Sequence, residues 1–230
     1  MKKQITIDGI DIFIERKKIK NIYIRILPPD GQVKMTVPKT ITDAMLVQFA
    51  KEKMDWIKKH QEKYEHQVPS VTKQYVTGET HDLWGKKYQL EVEISGAHNK
   101  VMLQGDKIIL LLRQEGTVEQ RESVMEEWYR RQLKMEISAV IEPCVKVVGK
   151  APNEWRIKKM KTRWGTCNTT KKRIWLNLQL AKKPPECLEY VIIHELTHLY
   201  TRKHDAQFKS YMDQFYPNWK AVKKRLNEQT

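Results

Sequence analysis

The sequence has few cysteines, and this scarcity limits the classes of protein to which the chain can belong. Only three occur among 230 residues, without a Cys-x-x-Cys pair, at Cys144, Cys167 and Cys187. An odd and scattered set does not build a disulfide framework, and it suits a reducing compartment. We therefore expect a cytoplasmic protein that is not held together by disulfides.

Long apolar runs are also lacking. No segment approaches the ~20 consecutive apolar residues that would span a bilayer. The amino terminus begins Met1-Lys2-Lys3 but is not followed by an apolar stretch, so no signal peptide is predicted. The sequence thus predicts no membrane partner.

Acidic residues are outnumbered by basic ones, and the imbalance is uneven. The chain has 43 Lys and Arg against 28 Asp and Glu, a net charge of +15. Residues 150–230 carry +11 of this charge, and the first 149 residues carry only +4. Such a balance favours acidic substrates or polyanions such as nucleic acid as partners, or it serves solubility alone. No recognised nucleic-acid-binding module accompanies it.

The most informative motif is His194-Glu195-Leu196-Thr197-His198. Residues four apart on a helix lie nearly above one another, so His194 and His198 can bind the same metal ion. The helix also has a run with the spacing of a buried stripe, which lies away from the histidine pair: Leu188, Ile192, Leu196 and Leu199. We predict a helix that buries one face and binds one zinc ion with the other.

A third ligand is needed, because catalytic zinc usually has three protein ligands and one water. Between residues 206 and 227 the only carboxylate is Asp213, and Asp205 is better interpreted as the N-cap of the next helix, which stops at Pro217. This places His204 in the turn between two helices and makes it the predicted third ligand.

The turn that brings His204 back to the metal must differ from the corresponding turn in metzincins. Metzincins have a histidine at the same offset, but they have glycine where this chain has Thr201. The bend must therefore be made differently here.

The predicted chemistry is hydrolysis of a peptide bond. Zinc at an open site lowers the pKa of bound water to about 7 and polarises a carbonyl. Glu195 is predicted to be the general base, which takes the proton and passes it to the leaving amine. Several side chains are alternatives for contacting the substrate or its developing oxyanion: Arg163, Trp164, Tyr190, Tyr200 and Tyr216.

The pattern of the chain predicts an α+β fold in two parts. Residues 1–115 are expected to be β-rich, with one amphipathic helix at about 42–64, a linker at 67–73 and then a continuation of an antiparallel sheet. Residues 116–230 are expected to form the catalytic core, with helices that back a small mixed or antiparallel sheet. No internal repeat is visible by inspection.

Within the core, residues 117–120 have the form of a capping box, and apolar residues recur every four positions until Pro143. This helix is expected to back the metal helix. Residues 155–167 and 173–178 are predicted to be two strands, with Trp175 and Asn177 on the available face. An edge strand here could pair with an extended peptide, or the hairpin could be core sheet only.

The chain resembles the YgjP-like family of predicted metal-dependent hydrolases, nearly from end to end. The similarity rests on residues 163–167 (Arg-Trp-Gly-Thr-Cys), 175–177 and 188–198, with His204-Asp205. Members resemble minimal gluzincin-type zincins related to the SprT-like and WLM metallopeptidases. The resemblance implies a zincin-like core, with His194, His198 and His204 as zinc ligands and Glu195 as general base.

Two alternatives stay open at this point. SprT-like and WLM relatives are associated with cleaving proteins crosslinked to DNA, so the basic carboxy-terminal third could recruit the protein to nucleic acid. The second alternative is a zinc site that catalyses no reaction, although three ligands beside a general base argue against it.

Overall fold

The computed structural model describes residues 2–27, 30–65 and 73–228, which belong to two compact units, residues 1–72 and 73–230. The predicted linker at 67–73 lies outside the described residues, apart from Lys73. The division thus differs from the border that we expected at residue 115. The reason is burial: Leu90 and Ile108 share one apolar core with Met125 and Leu133 of the following helix.

The first unit contains a four-stranded sheet with the order β1-β2-β4-β3. Its strands are β1 (Lys2–Ile7), β2 (Ile10–Lys17), β3 (Tyr23–Leu27) and β4 (Gln32–Pro38). β2 and β4 are parallel, and the other pairs are antiparallel. Every second residue of β4 is buried, as the period of a strand requires.

Two helices, not one, follow this sheet: α1 (Asp43–Glu52) and α2 (Met54–Glu65). The break is a tight turn in which the Lys53 N–H donates to the carbonyl of Ala50. α1 contacts β1 and α2 contacts β3, which are the two edge strands of the sheet. The break therefore lets both helices bury apolar residues along the sheet.

The second unit begins with a sheet of the same topology, in the order β5-β6-β8-β7. Its strands are β5 (Thr80–Leu83), β6 (Lys86–Ile94), β7 (Lys100–Gln104) and β8 (Lys107–Leu112). It is a separate mixed sheet and not the antiparallel continuation that we expected, because β6 pairs in parallel with β8. The structure thus contains a repeat of topology that the sequence does not reveal.

A long helix, α3 (Val118–Val148), follows the second sheet. The predicted capping box is present, since Thr117 and Gln120 each accept a hydrogen bond from the other's N–H. The helix continues past Pro143, where we expected it to end, and stops at Gly149 in the left-handed conformation. Cys144 and Val148 are buried beyond the proline, and this burial offsets the lost backbone hydrogen bond.

The remaining elements surround a third, three-stranded sheet with the order β10-β11-β9. Its strands are β9 (Glu154–Lys158), β10 (Gly165–Asn168) and β11 (Arg173–Asn177), followed by a 3₁₀ helix (Leu178–Lys182). Three helices complete the unit: α4 (Pro185–Thr197), α5 (Ala206–Phe215) and α6 (Trp219–Glu228). α4 packs against α3, as expected. None of the described helices is both long and apolar enough to cross a membrane.

The strand that we predicted over residues 155–167 is divided into β9 and β10 by an irregular segment. Asn177 explains the division, because its side-chain amide donates to the carbonyls of Met160 (2.9 Å) and Arg163 (2.7 Å). Its carbonyl oxygen accepts from the Met160 N–H. Asn177 is buried and therefore does not lie on an available face, as the alternating pattern suggested.

Candidate metal centre

The motif lies on α4, whose start and orientation follow from local sequence. Pro184 precedes the helix and Pro185 occupies its first turn, where the missing N–H of proline costs no helical hydrogen bond. Leu188, Ile192 and Leu196 are fully buried. The helix ends at Thr197, and His198 follows in a right-handed conformation that preserves its helical spacing from His194.

The turn after α4 is tight and contains no left-handed residue. No residue from 198 to 204 is among the described non-glycine residues with positive φ. The Tyr200 N–H donates to the Thr197 carbonyl (2.9 Å), and the Lys150 ammonium donates to the Leu199 carbonyl (2.8 Å). The chain thus bends without the glycine of metzincins, because the end of α3 holds the turn from outside.

α5 begins immediately after the third histidine. Asp205 is its N-cap, as predicted, and accepts a hydrogen bond from the Phe208 N–H at 3.1 Å. The buried Phe208 ring lies 4.7–4.9 Å, centroid to centroid, from the rings of His194, His198 and His204. One aromatic side chain therefore packs against all three imidazoles.

The three histidines converge. Each offers a nitrogen within 4.8 Å of those of the other two, and the Nε2 atoms of His194 and His204 lie 3.0 Å apart. Nδ1 of His198 lies 3.1 Å from the Thr201 carbonyl, which leaves its Nε2 free to bind a metal. Two nitrogens bound to one tetrahedral zinc ion lie roughly 3.3 Å apart, and the Nε2 atoms of His194 and His204 lie close to that spacing.

The protonation of His194 and His204 also suits metal binding. Burial, and then the neighbouring His198 and His204, lower the pKa of His194 to about 3. Burial and His198 likewise lower the pKa of His204. His194 Nδ1 is the one buried side-chain polar atom without a hydrogen bond among the described residues. Neutral imidazoles with available lone pairs are the form that binds a metal.

Glu195 is 4% exposed and lies against the backbone of β10. A Cβ atom built on Gly165 would lie only 2.6 Å from the nearer carboxylate oxygen of Glu195. Burial raises the pKa of Glu195 to about 8, and Arg163 opposes the rise. The carboxylate is thus fixed between a helix and an edge strand, with one cation near it.

An open cleft of about 790 Å³ contains the three histidines and Glu195. Its lining includes residues 163–170, with the edge strand β10, and Lys223, Leu226 and Asn227 of α6. Three of the predicted substrate contacts also line it: Arg163, Trp164 and Tyr190. The structure therefore brings these three residues and the metal-binding motif together in one cleft.

Residues 20–229 match the family model described as YgjP-like, metallopeptidase domain. The chain belongs to the YgjP-like metallopeptidase family. The crystal structure of the metallopeptidase zymogen of Pyrococcus abyssi abylysin is similar to part of it, with 20% identity over 40% of this chain and 93% of that chain and a TM-score of 0.38. No protein of curated function matches the sequence at a significant level.

Membership of the YgjP-like family gives the coarse function. The chain is a metallopeptidase, which implies a divalent metal and a peptide or protein substrate. The predicted family is thereby confirmed, and the helices and mixed sheets of the structure confirm the α+β fold class.

Two of the predicted contacts of this YgjP-like chain lie outside the cleft lining. The Tyr200 hydroxyl donates to the Val148 carbonyl at 2.8 Å, and its ring packs under the Lys150 ammonium. The Tyr216 hydroxyl donates to the Glu189 carboxylate at 3.2 Å. Both hydroxyls are already engaged in hydrogen bonds that hold the helices.

Sequence reasoning missed two parts of the site. In the sequence, Gly165 contributes only to the family resemblance, and no local signal shows that it lies against Glu195, thirty positions later. α6 was not predicted at all, although Trp219, Val222 and Leu226 have the spacing of a buried helical stripe. That signal could have predicted the helix, but not its position beside the site.

Proposed function

We propose that the protein is a zinc-dependent peptidase in which His194, His198 and His204 hold one zinc ion and Glu195 is the general base. The observation that carries the proposal is the convergence of three histidine nitrogens within 4.8 Å, in the cleft that also contains Glu195. Three protein ligands in an open cleft leave a coordination position for water or substrate, which favours a catalytic over a structural site.

Zinc held there would supply a water of pKa about 7 and polarise the scissile carbonyl. Glu195 would accept the proton of the attacking water and donate it to the leaving amine. Its contact with Gly165 orients the carboxylate. Arg163 favours the charged carboxylate, because it counters the effect of burial on the pKa of Glu195.

Tyr190 and Arg163 are the proposed donors to the developing oxyanion. Both line the cleft, and neither side chain forms a hydrogen bond with the described residues. Burial and the charge of Glu195 raise the pKa of Tyr190 to about 12, so its hydroxyl stays protonated and can donate. Arg163 and Tyr190 thus differ from Tyr200 and Tyr216, whose hydroxyls are already engaged.

The test is Glu195→Gln, which keeps the shape of the side chain and removes its basicity. We expect unchanged zinc stoichiometry and a fall in peptide hydrolysis of about 10²- to 10⁴-fold. Glu189→Gln is the matched control, because it makes the same change on the same helix outside the cleft lining. Hydrolysis by Glu195→Gln at the wild-type rate would refute the role of Glu195. No hydrolysis of any peptide by the zinc-loaded wild type would refute the peptidase.

A further inference from the structure

The cleft is lined by cations from three different elements. Arg163 precedes β10, Arg202 lies in the turn between His198 and His204, and Lys223 lies on α6. All three are exposed. The only carboxylate in the lining is Glu195, which is buried and assigned to proton transfer. Among the described residues that line the cleft, the accessible fixed charges are therefore all positive.

Some basic residues of the same unit have acidic partners. Lys159 pairs with Glu122 and Glu126, Arg173 with Glu154, and Arg225 with Glu186. The side chains of Arg163, Arg202 and Lys223 form no ion pair with any described residue. Within the described lining of the cleft, no accessible carboxylate neutralises these three cations.

The cations also share the cleft with the reacting groups. All three line it together with Glu195 and the three histidines. Arg202 belongs to the turn between His198 and His204. A substrate that reaches the metal therefore enters a cleft that carries cations from three elements.

We propose that the cleft selects peptide segments with acidic side chains near the scissile bond. This inference rests on the proposed peptidase function and names its substrate class. Unpaired cations from three elements of the cleft would attract such a segment and hold it near the metal, since complementary charges steer and orient a ligand. A peptide is favoured over nucleic acid because the same cleft contains the proposed machinery for peptide hydrolysis.

The first experiment measures binding without turnover. Zinc-loaded Glu195→Gln is titrated, at low and high salt, with short peptides of equal length that carry glutamate, glutamine or lysine on both sides of a central alanine pair. We expect the glutamate peptide to bind roughly tenfold more tightly than the glutamine peptide at low salt, with the difference shrinking at high salt. Equal affinity for the three peptides would overturn the inference.

The second experiment assigns the preference to the cleft. Arg202→Gln and Lys223→Gln, each made in the Glu195→Gln background, are expected to weaken binding of the glutamate peptide several-fold and to leave the glutamine peptide unaffected. Lys209→Gln is the matched control, because Lys209 is an exposed cation of α5 outside the cleft lining. An equal effect of the control would show a response to net charge and would overturn the inference.

Two further outcomes separate this inference from the proposed function. If zinc-loaded wild type cleaves all three peptides with the same kcat/KM, the peptidase stands and the substrate class is refuted. If Glu195→Gln prefers the glutamate peptide but wild type cleaves none, the charge selection stands and the peptidase is refuted. Binding of a single-stranded oligonucleotide by a protein that binds none of the peptides would replace the inference with nucleic-acid recognition.

Discussion

Gly165 is the residue on which the geometry of the proposed base depends most closely. Any side chain there would meet the carboxylate of Glu195 at under 3.0 Å, so the carboxylate would have to move. We expect Gly165→Ala to retain zinc and to lower kcat by about 10²-fold, because a shift of about 1 Å in a reacting group has an effect of that size. Zinc stoichiometry and steady-state kinetics measure the two properties separately.

Gly116→Ala is the control for this substitution. A Cβ atom there would come closest to Oε1 of Gln120, at 2.8 Å, which belongs to the cap of α3 outside the cleft. We expect no change in kcat. Wild-type kcat in Gly165→Ala would contradict the proposed role of the contact.

Glu195 also gives the metal-free protein a characteristic pH dependence. Its pKa rises from 4.5 to about 8 on folding because of burial, so the folded state holds the proton more tightly than the unfolded state. The contribution of Glu195 to stability is therefore complete below pH 4.5 and is lost as the pH rises toward 8.

The measurement is urea unfolding of chelator-treated wild type and Glu195→Gln across this range. The difference in unfolding free energy, wild type minus variant, should fall by a few kcal/mol, to an order of magnitude, as the pH rises. A difference independent of pH would show that the carboxyl is not buried as described.

At the scale of elements, the site depends on the junction between α4 and α5. Asp205 caps α5, which carries the Phe208 ring that packs against the three histidines. We expect Asp205→Ala to cost about 1 kcal/mol of stability and to weaken zinc binding about tenfold, since outer groups that orient metal ligands have effects of that size.

Thr117→Ala separates stability from metal binding. Thr117 caps α3 in the same way but lies outside the cleft lining. We expect a similar loss of stability with unchanged zinc affinity in a competition titration. An equal loss of affinity in both variants would mean that Asp205 acts through global stability only.

The elements themselves were predictable where the signals are local. The capping box at Thr117 and the N-cap at Asp205 depend on residues three positions away, and both are present. The end of α3 was predicted too early at Pro143, because burial of Cys144 and Val148 by distant residues decides it. The break between β9 and β10 depends on the side chain of Asn177, which lies 14 to 17 residues further along the chain than the carbonyls that it binds.

At the scale of the whole molecule, each unit has its own apolar core and a four-stranded sheet of the same order. The sequence does not show this repeat, because the same topology can be built from unrelated apolar residues. Every residue of the candidate site belongs to the second unit, residues 73–230. The metal centre therefore does not need ligands from the first unit.

We expect a fragment of residues 73–230 to unfold cooperatively and to bind one zinc ion with the affinity of the full chain. Its buried residues form one cluster among themselves, which is the physical basis of the expectation. Calorimetry and zinc titration of the fragment and the full chain test it. A fragment that folds but does not bind zinc would place part of the site in residues 1–72.

The sequence predicts the histidines of the candidate site but not the residues that form the rest of the cleft. His194, His198, His204 and Glu195 lie within eleven residues, so helical spacing and one turn bring them together. Gly165 and Lys223 belong to other elements, and a single sequence does not show how close those elements lie to the histidines. The basic carboxy-terminal third pointed to an acidic partner, but only the structure locates three unpaired cations in the cleft.

The most direct test of the central claim is a crystal structure of the zinc-loaded protein, with anomalous diffraction data collected on both sides of the zinc absorption edge. We predict one zinc ion per chain, bound at about 2.0–2.1 Å by one nitrogen from each of His194, His198 and His204, with no fourth protein ligand. Glu195 should face the remaining position without binding the metal. Zinc at another place, or a site closed by a fourth side chain, would contradict the account.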